Sequence, residues 1–245
     1  VEYEGNKNNN ILISGSDVGG FAFSSVFVDD GKPPSEKYKM IWQRFNEKAS
    51  AWWIYGATSA DGFHWNLLVE PISARNSDTT VPCIPDGGTY RLYTRLWQEG
   101  DFRGARSVGY TESDHFGGFP EPKEIFAHDK QDPEGMQFYS SAATKLADAF
   151  YVILPAAFYT KNQTVRSHLA WSRDGIHFTR YGREPIVDLG SKVGTKGVYV
   201  LPGVVPGDAS NTWWFFYSGT NMEHDSASKD VKSDGGIGRF LLHVE

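Results

Sequence analysis

A seven-residue phrase returns along this chain at long intervals. Ser59-Ala60-Asp61-Gly62-Phe63-His64-Trp65 comes back as Ser172-Arg173-Asp174-Gly175-Ile176-His177-Phe178, with a worn copy, Ser113-Asp114-His115-Phe116-Gly117-Gly118-Phe119, between them. The three Asp positions lie 53 and then 60 residues apart. Self-similarity at a period of about 50 residues is the mark of radially repeated β-sheets. The phrase itself has a turn-forming chemistry: Gly tolerates positive φ, and Asp bonds nearby backbone N–H groups. Its Asp and His residues are therefore expected at the rim as turn formers, with the following Trp or Phe folded back as an apolar plug.

The phrase sets a register for the rest of the chain. Each unit reads as a short strand, a turn rich in Gly, Pro or Asp, a second strand, and a third strand ending in the phrase or its relic. The expected strands are 23–28, 38–44 and 51–58; then 80–84, 90–96 and 106–111; then 137–144, 150–158 and 165–171; then 198–204, 213–218 and 237–243. Runs such as Ala51-Trp52-Trp53-Ile54-Tyr55 and Trp213-Trp214-Phe215-Phe216-Tyr217 are apolar throughout, as suits strands covered on both faces. Residues 145–150 fit a helical turn in isolation, but the repeat makes them a hairpin. Four units are visible; residues 8–13 offer one further strand, and a fifth unit is either incomplete here or has its missing part upstream of Val1.

Composition narrows the function. Aromatic residues make up 15% of the chain, with 8 Trp and 12 Tyr, a load that suits strands and sugar-facing surfaces. The net charge is −6 with the signs well mixed, and no basic stripe speaks for nucleic acid. No apolar run approaches the roughly 20 residues that span a bilayer. Cys83 is the sole cysteine, so no intrachain disulfide forms, and its apolar setting marks it as a buried small hydrophobe. No metal-ligand spacing, phosphate loop or Ser-His-Asp arrangement stands out. No signal peptide is present.

Tyr90-Arg91-Leu92-Tyr93-Thr94-Arg95, Asp129-Lys130-Gln131-Asp132-Pro133, Gln137-Phe138-Tyr139 and Trp171-Ser172-Arg173-Asp174-Gly175 resemble the five-bladed β-propeller glycosidases. More closely, the chain is similar to bacterial proteins related to glycoside hydrolase families 32 and 43. The resemblance covers nearly the whole chain at the level of the blade pattern. It implies an all-β, five-bladed β-propeller occupying residues 1–245 as one domain, with four blades clear and the fifth incomplete or closed by the N-terminal strand. It also implies an extracellular or periplasmic setting and a carbohydrate partner. No cofactor is called for; such folds admit a calcium ion in the axial channel, but nothing in this sequence requires one. The chain lacks the family 32 Asn-Asp-Pro-Asn-Gly, Arg-Asp-Pro and Glu-Cys motifs, which separates it from invertase-like enzymes.

In a propeller, the start of each innermost strand faces the ligand. Glycoside hydrolysis needs one protonated carboxyl and one ionised carboxylate flanking the scissile bond. Acids just before the first strand of a unit are therefore the candidates. Asp78 precedes the second unit and is the first candidate for a catalytic or stabilising carboxylate. Asp132 and Glu134 precede the third, with Glu134 favoured as general acid and Asp132 as its close rival. Arg95 and Arg106 offer planar guanidinium groups that suit an acidic sugar, or that hold a neighbouring acid ionised. Gln137, Tyr139, Lys196 and Tyr199 complete the candidate substrate contacts, and His224 joins them by resemblance to a ligand loop. A glycoside hydrolase is the first expectation and a sugar-binding propeller without turnover the second. A protein-interaction propeller of the kelch or seven-bladed kind is disfavoured by the absent Gly-His and Trp-Asp signature.

Overall fold

The period of the sequence reappears as a series of short antiparallel meanders. The computed structural model describes every residue except 1, 3, 4, 21, 226–234 and 245. Among the described residues there are seventeen strands and a single four-residue helical turn, α1 (Gly15–Val18). By their internal contacts they fall into two units, residues 1–92 with 111–121, and residues 93–110 with 122–245.

The first sheet runs β1 (Ala22–Val28), β2 (Tyr38–Asn46), β3 (Ala51–Ser59) and β4 (Asn66–Leu67) in sequence order. The second runs β5 (Cys83–Asp86), β6 (Thr89–Trp97), β7 (Arg106–Ser113) and β8 (Lys123–Phe126), again in order. The third meander pairs β9 (Met136–Ala147) with β10 (Phe150–Tyr159), which then receives β11 (Thr164–Ser167) and β12 (Ala170–Ser172), with β13 (Thr179–Arg180) outermost. The fourth places β14 (Gly197–Val200), β15 (Val205–Pro206) and β17 (Gly235–His243) against the long β16 (Thr212–Thr220). A single parallel pair, Val165 with Gly197, joins the third meander to the fourth.

The repeat anticipates twelve strands; the short strands β4, β8, β13 and β15 lie outside it. They are two to four residues long, too short to show a period. The phrase explains two of them, since it is the hairpin that turns the third strand back to meet the fourth. Asn66 pairs with Thr58 just after the first copy, and Thr179 with Trp171 just after the second.

Two expectations need correction. Residues 8–13 form no strand. Asn side chains there bond their own neighbourhood instead: Asn6 Oδ1 accepts the Asn8 N–H at 2.7 Å, and Asn9 Oδ1 accepts the Ile11 N–H at 2.8 Å. Such local bonds compete with a ladder. The third strand of the third unit, expected over 165–171, is broken into β11 and β12. Its neighbour β10 carries Pro155, which has no N–H to donate. β10 pairs with β11 through residues 156–159 and with β12 through 151–153, leaving a gap at the proline. The hairpin over 145–150 is as expected, with Ala149 at φ 51° in its turn.

The apolar strands are covered on both faces. On β2, Ile41 joins Ile54, Ile72, Val81, Cys83, Tyr90, Leu92 and Phe119 in one core. Its neighbours Met40 and Trp42 join Val18, Tyr55 and Ala57 in another. Successive side chains on a strand point to opposite faces, so a strand between two cores has no polar positions to alternate. In the other unit, β10 is likewise buried on both faces, with Val152, Leu154, Ala156 and Phe158 on one and Tyr151, Ile153 and Ala157 on the other.

Candidate functional site

The two copies of the phrase fold identically, and that settles the role of their acids. Ser172 Oγ accepts the Asp174 and Gly175 N–H groups at 3.2 and 2.9 Å. Asp174 Oδ1 accepts the N–H groups of Ile176 and His177 at 2.8 Å each, and its Oδ2 lies 2.7 Å from His177 Nδ1. Ser59, Asp61 and His64 repeat the same set. The His side chain first, then these backbone donors, hold both carboxyls well below the usual carboxylate range. In the worn copy only the serine still acts, with Ser113 Oγ donating to Gly117 O at 2.9 Å.

The acidic approach to β9 is a different matter. Asp132 is gripped by Arg180, Nη1 to Oδ1 at 2.6 Å and Nη2 to Oδ2 at 2.8 Å, and by Arg183 at 2.9 Å. Its side chain is only 3% exposed. Burial alone would raise its pKa, but the Arg180 hydrogen bonds and the Asp129 N–H outweigh it and hold the carboxyl ionised. Asp129 closes the knot through Arg183, which lowers its pKa to about 2. Glu134 lies at the surface, 86% exposed, with Lys161 Nζ at 2.6 Å. That ammonium lowers the Glu134 pKa, which favours the anion over the protonated form a general acid needs. Asp78 belongs to the other unit and sits half-buried at φ 50°, between buried Ser77 and Thr79.

A compact cluster does form from the remaining candidates of the second unit. Gln137 and Tyr139 project from the start of β9. Tyr139 occupies a β-bulge there: Ala157 pairs with Phe138 and Ala156 with Ser140, so Tyr139 is the extra residue. Bulges re-aim side chains and concentrate beside functional sites. Arg95, near the end of β6 and 1% exposed, donates its Nε–H to the Tyr139 carbonyl at 2.7 Å and lies 3.9 Å from the Tyr139 ring centroid. Arg106, at the start of β7, donates from Nη1 to Gln137 Oε1 at 2.8 Å. His224 packs edge-on to Tyr139 at 4.3 Å between ring centroids, and 4.4 Å from Phe158. Its Nδ1 is hydrogen-bonded to the Tyr199 hydroxyl at 3.1 Å. Burial above all pushes the Tyr199 phenol far up, so it stays protonated.

Arg95, Arg106, Gln137, Tyr139, Tyr199 and His224 are thus brought together. Lys196, from the same candidate set, instead extends to Glu223 at 2.8 Å on the half-exposed surface. Three participants went unread in the sequence. Phe158 was hidden in the uniformly apolar run of β10. Gln163 and Asp225 hold the loop: Gln163 O accepts the His224 N–H and the Gln163 side-chain Oε1 accepts the Asp225 N–H, each at 3.1 Å. No local pattern announces that loop clamp. Among the described residues, no group of three His, Cys, Asp or Glu side chains is arranged to hold a metal ion. Chemically, the cluster sets aromatic rings beside two guanidinium groups, a phenol hydroxyl and an imidazole.

No protein-family model and no curated protein sequence matches the chain. Solved structures do. An N-acetylgalactosamine deacetylase from F. plautii, in complex with blood group B trisaccharide, matches with a TM-score of 0.60 and 13% identity over 91% of this chain and 89% of that one. A glycosyl hydrolase from Bacteroides ovatus matches with a TM-score of 0.62 and 13% identity, over 91% and 66% of the two chains. A beta-1,2-mannobiose phosphorylase from Listeria innocua matches with a TM-score of 0.58 and 15% identity, over 91% and 73%. At such identities the likeness is one of fold. The chain is all-β, and the structures it resembles in fold are of the glycoside hydrolase propeller type.

Proposed function

We propose that the protein is a carbohydrate-active enzyme, a five-bladed glycoside hydrolase that releases a sugar from an oligo- or polysaccharide outside the cytoplasm. The observation that carries this reading is the cluster around Tyr139, in which the bulge on β9 sets an aromatic ring between Arg95, Arg106 and His224. Aromatic rings flanked by planar donors suit the apolar face and hydroxyl rim of a pyranose. The structural neighbours, which include a glycosyl hydrolase and a disaccharide phosphorylase, support the same class.

Of the three acids first considered, two are already held in ion pairs, and Asp78 lies in the other unit, half-buried at φ 50°. Asp132 is committed to Arg180 and Arg183, and Glu134 is an exposed anion beside Lys161. Those two ion pairs also favour a second reading, a propeller that binds sugar without turnover. Incubation with a panel of plant, fungal and bacterial oligosaccharides, followed by chromatography of released sugars, separates the two. Hydrolysis that Asp78→Asn reduces by about 100-fold or more supports the enzyme. Saturable binding with no product over days supports the binding protein.

A further inference from the structure

Three arginines of the second unit come with carboxylates, and Arg106 does not. Arg180 holds Asp132, Arg183 holds Asp129, and Arg166 holds Asp188 at 2.7 Å. The Arg106 side chain instead meets a neutral amide, Gln137 Oε1, and two aromatic rings, Tyr139 with its centroid at 5.4 Å and Phe158 at 5.8 Å. Its Nε is buried with no hydrogen-bond partner. Among the described residues no carboxylate pairs with it.

A guanidinium drawn partly out of water without a counter-ion is costly, and an anion supplied by a ligand offsets that cost. The geometry defines which anion. With Nη1 occupied by Gln137, the edge left over is the Nε and Nη2 side, two parallel donors matched to the two oxygens of a planar carboxylate. The adjacent, partly buried ring of Tyr139 supplies an apolar face for whatever carries that carboxylate. Tyr199 and His224, next to Tyr139, supply polar groups for ring hydroxyls.

We infer that Arg106 is the receptor of a carboxylate borne on a sugar ring, and that the ligand is an acidic saccharide containing a uronic acid. The inference rests on the carbohydrate reading above and specifies its substrate class. Gln137 serves as a positioning residue: a neutral acceptor there orients the guanidinium without neutralising it.

Titration calorimetry of the intact chain tests this with oligomers of galacturonic and glucuronic acid, the neutral galactose and glucose oligomers, and sodium phosphate. Uronates should bind about 10-fold or more tighter than their neutral counterparts, and the preference should shrink as salt rises. Arg106→Gln should weaken uronate binding about 10- to 100-fold and abolish the preference for uronates over their neutral counterparts. Gln137→Glu, which supplies an internal counter-ion while keeping the arginine, should do the same and covers the case in which Arg106→Gln fails to fold. Neutral and acidic sugars binding equally would overturn this inference and spare the carbohydrate reading. Binding of phosphate through Arg106, with uronates inert, would overturn it too. Absence of any sugar binding would overturn both readings.

Discussion

Arg180 meets Asp132 edge to edge, through two nearly parallel hydrogen bonds of 2.6 and 2.8 Å. The pair links the approach to β9 with the outermost strand β13 of the same meander. It uses both oxygens of a carboxylate that the sequence offered as a catalytic acid, and it fixes that carboxylate in the ionised form.

Asp132→Asn should therefore cost stability rather than chemistry. Removing one partner of a buried pair strands the other, at about 3 kcal/mol. The pKa values of Asp129 and Asp132 are depressed in the folded protein, so their contribution is present above the ordinary carboxylate range and lost as pH falls through the folded values. Urea unfolding should show wild-type stability declining as pH falls from 4 towards about 2, and a shallower decline in Asp132→Asn. An Asp132→Asn protein of unchanged stability would break the argument.

Glu134→Gln should be silent in both respects. The side chain and its partner Lys161 are 86% and 68% exposed, and such pairs are screened by water and salt. Thermal midpoint and any glycosidase turnover should match the wild type; a pH-dependent loss of turnover would restore Glu134 as an acid.

Ser172 is expected to matter more than its modest size suggests. Its hydroxyl oxygen is the acceptor for the buried Gly175 N–H, and the Gly175 carbonyl in turn accepts the Tyr93 hydroxyl at 2.9 Å. Ser172→Ala leaves a buried donor unsatisfied and should cost about 1–2 kcal/mol, with Tyr93→Phe costing about 1. A double-mutant cycle should give a coupling of the same sign, because both act on one turn.

His168 sets a second pH dependence. It is 5% exposed, its Nε2 lies 3.1 Å from the Tyr159 hydroxyl, and burial first, then Arg180, depresses its pKa to about 4. The folded state holds the imidazole neutral while the unfolded chain takes up a proton near 6.5, so its contribution is full above 6.5 and falls as pH drops towards 4. The loss amounts to about 3 kcal/mol, at 1.36 kcal/mol per unit. His168→Gln should flatten the stability profile across that window, measured by denaturant midpoints at intervals of half a pH unit.

The all-β architecture and its punctuation were written in the sequence. A period, an Asp-Gly turn and alternating burial are local properties, decided by backbone sterics and nearest neighbours. Hence most of the longer strands, the hairpin after Lys145 and the turn role of Asp61 and Asp174 were legible from residues alone. The broken strand at His168 was not, because it depends on a proline on a neighbouring strand. The candidate site was half legible. Arg95, Arg106, Tyr139, Tyr199 and His224 could be listed as groups able to bind, but only packing brings them together. Which acids remain chemically available was decided wholly by tertiary structure. Asp132 and Glu134 look alike in sequence, two residues apart on one acidic turn. Their partners Arg180, Arg183 and Lys161 come from 27 to 51 residues further along, and the Coulomb energy that fixes a carboxylate depends on distance in space.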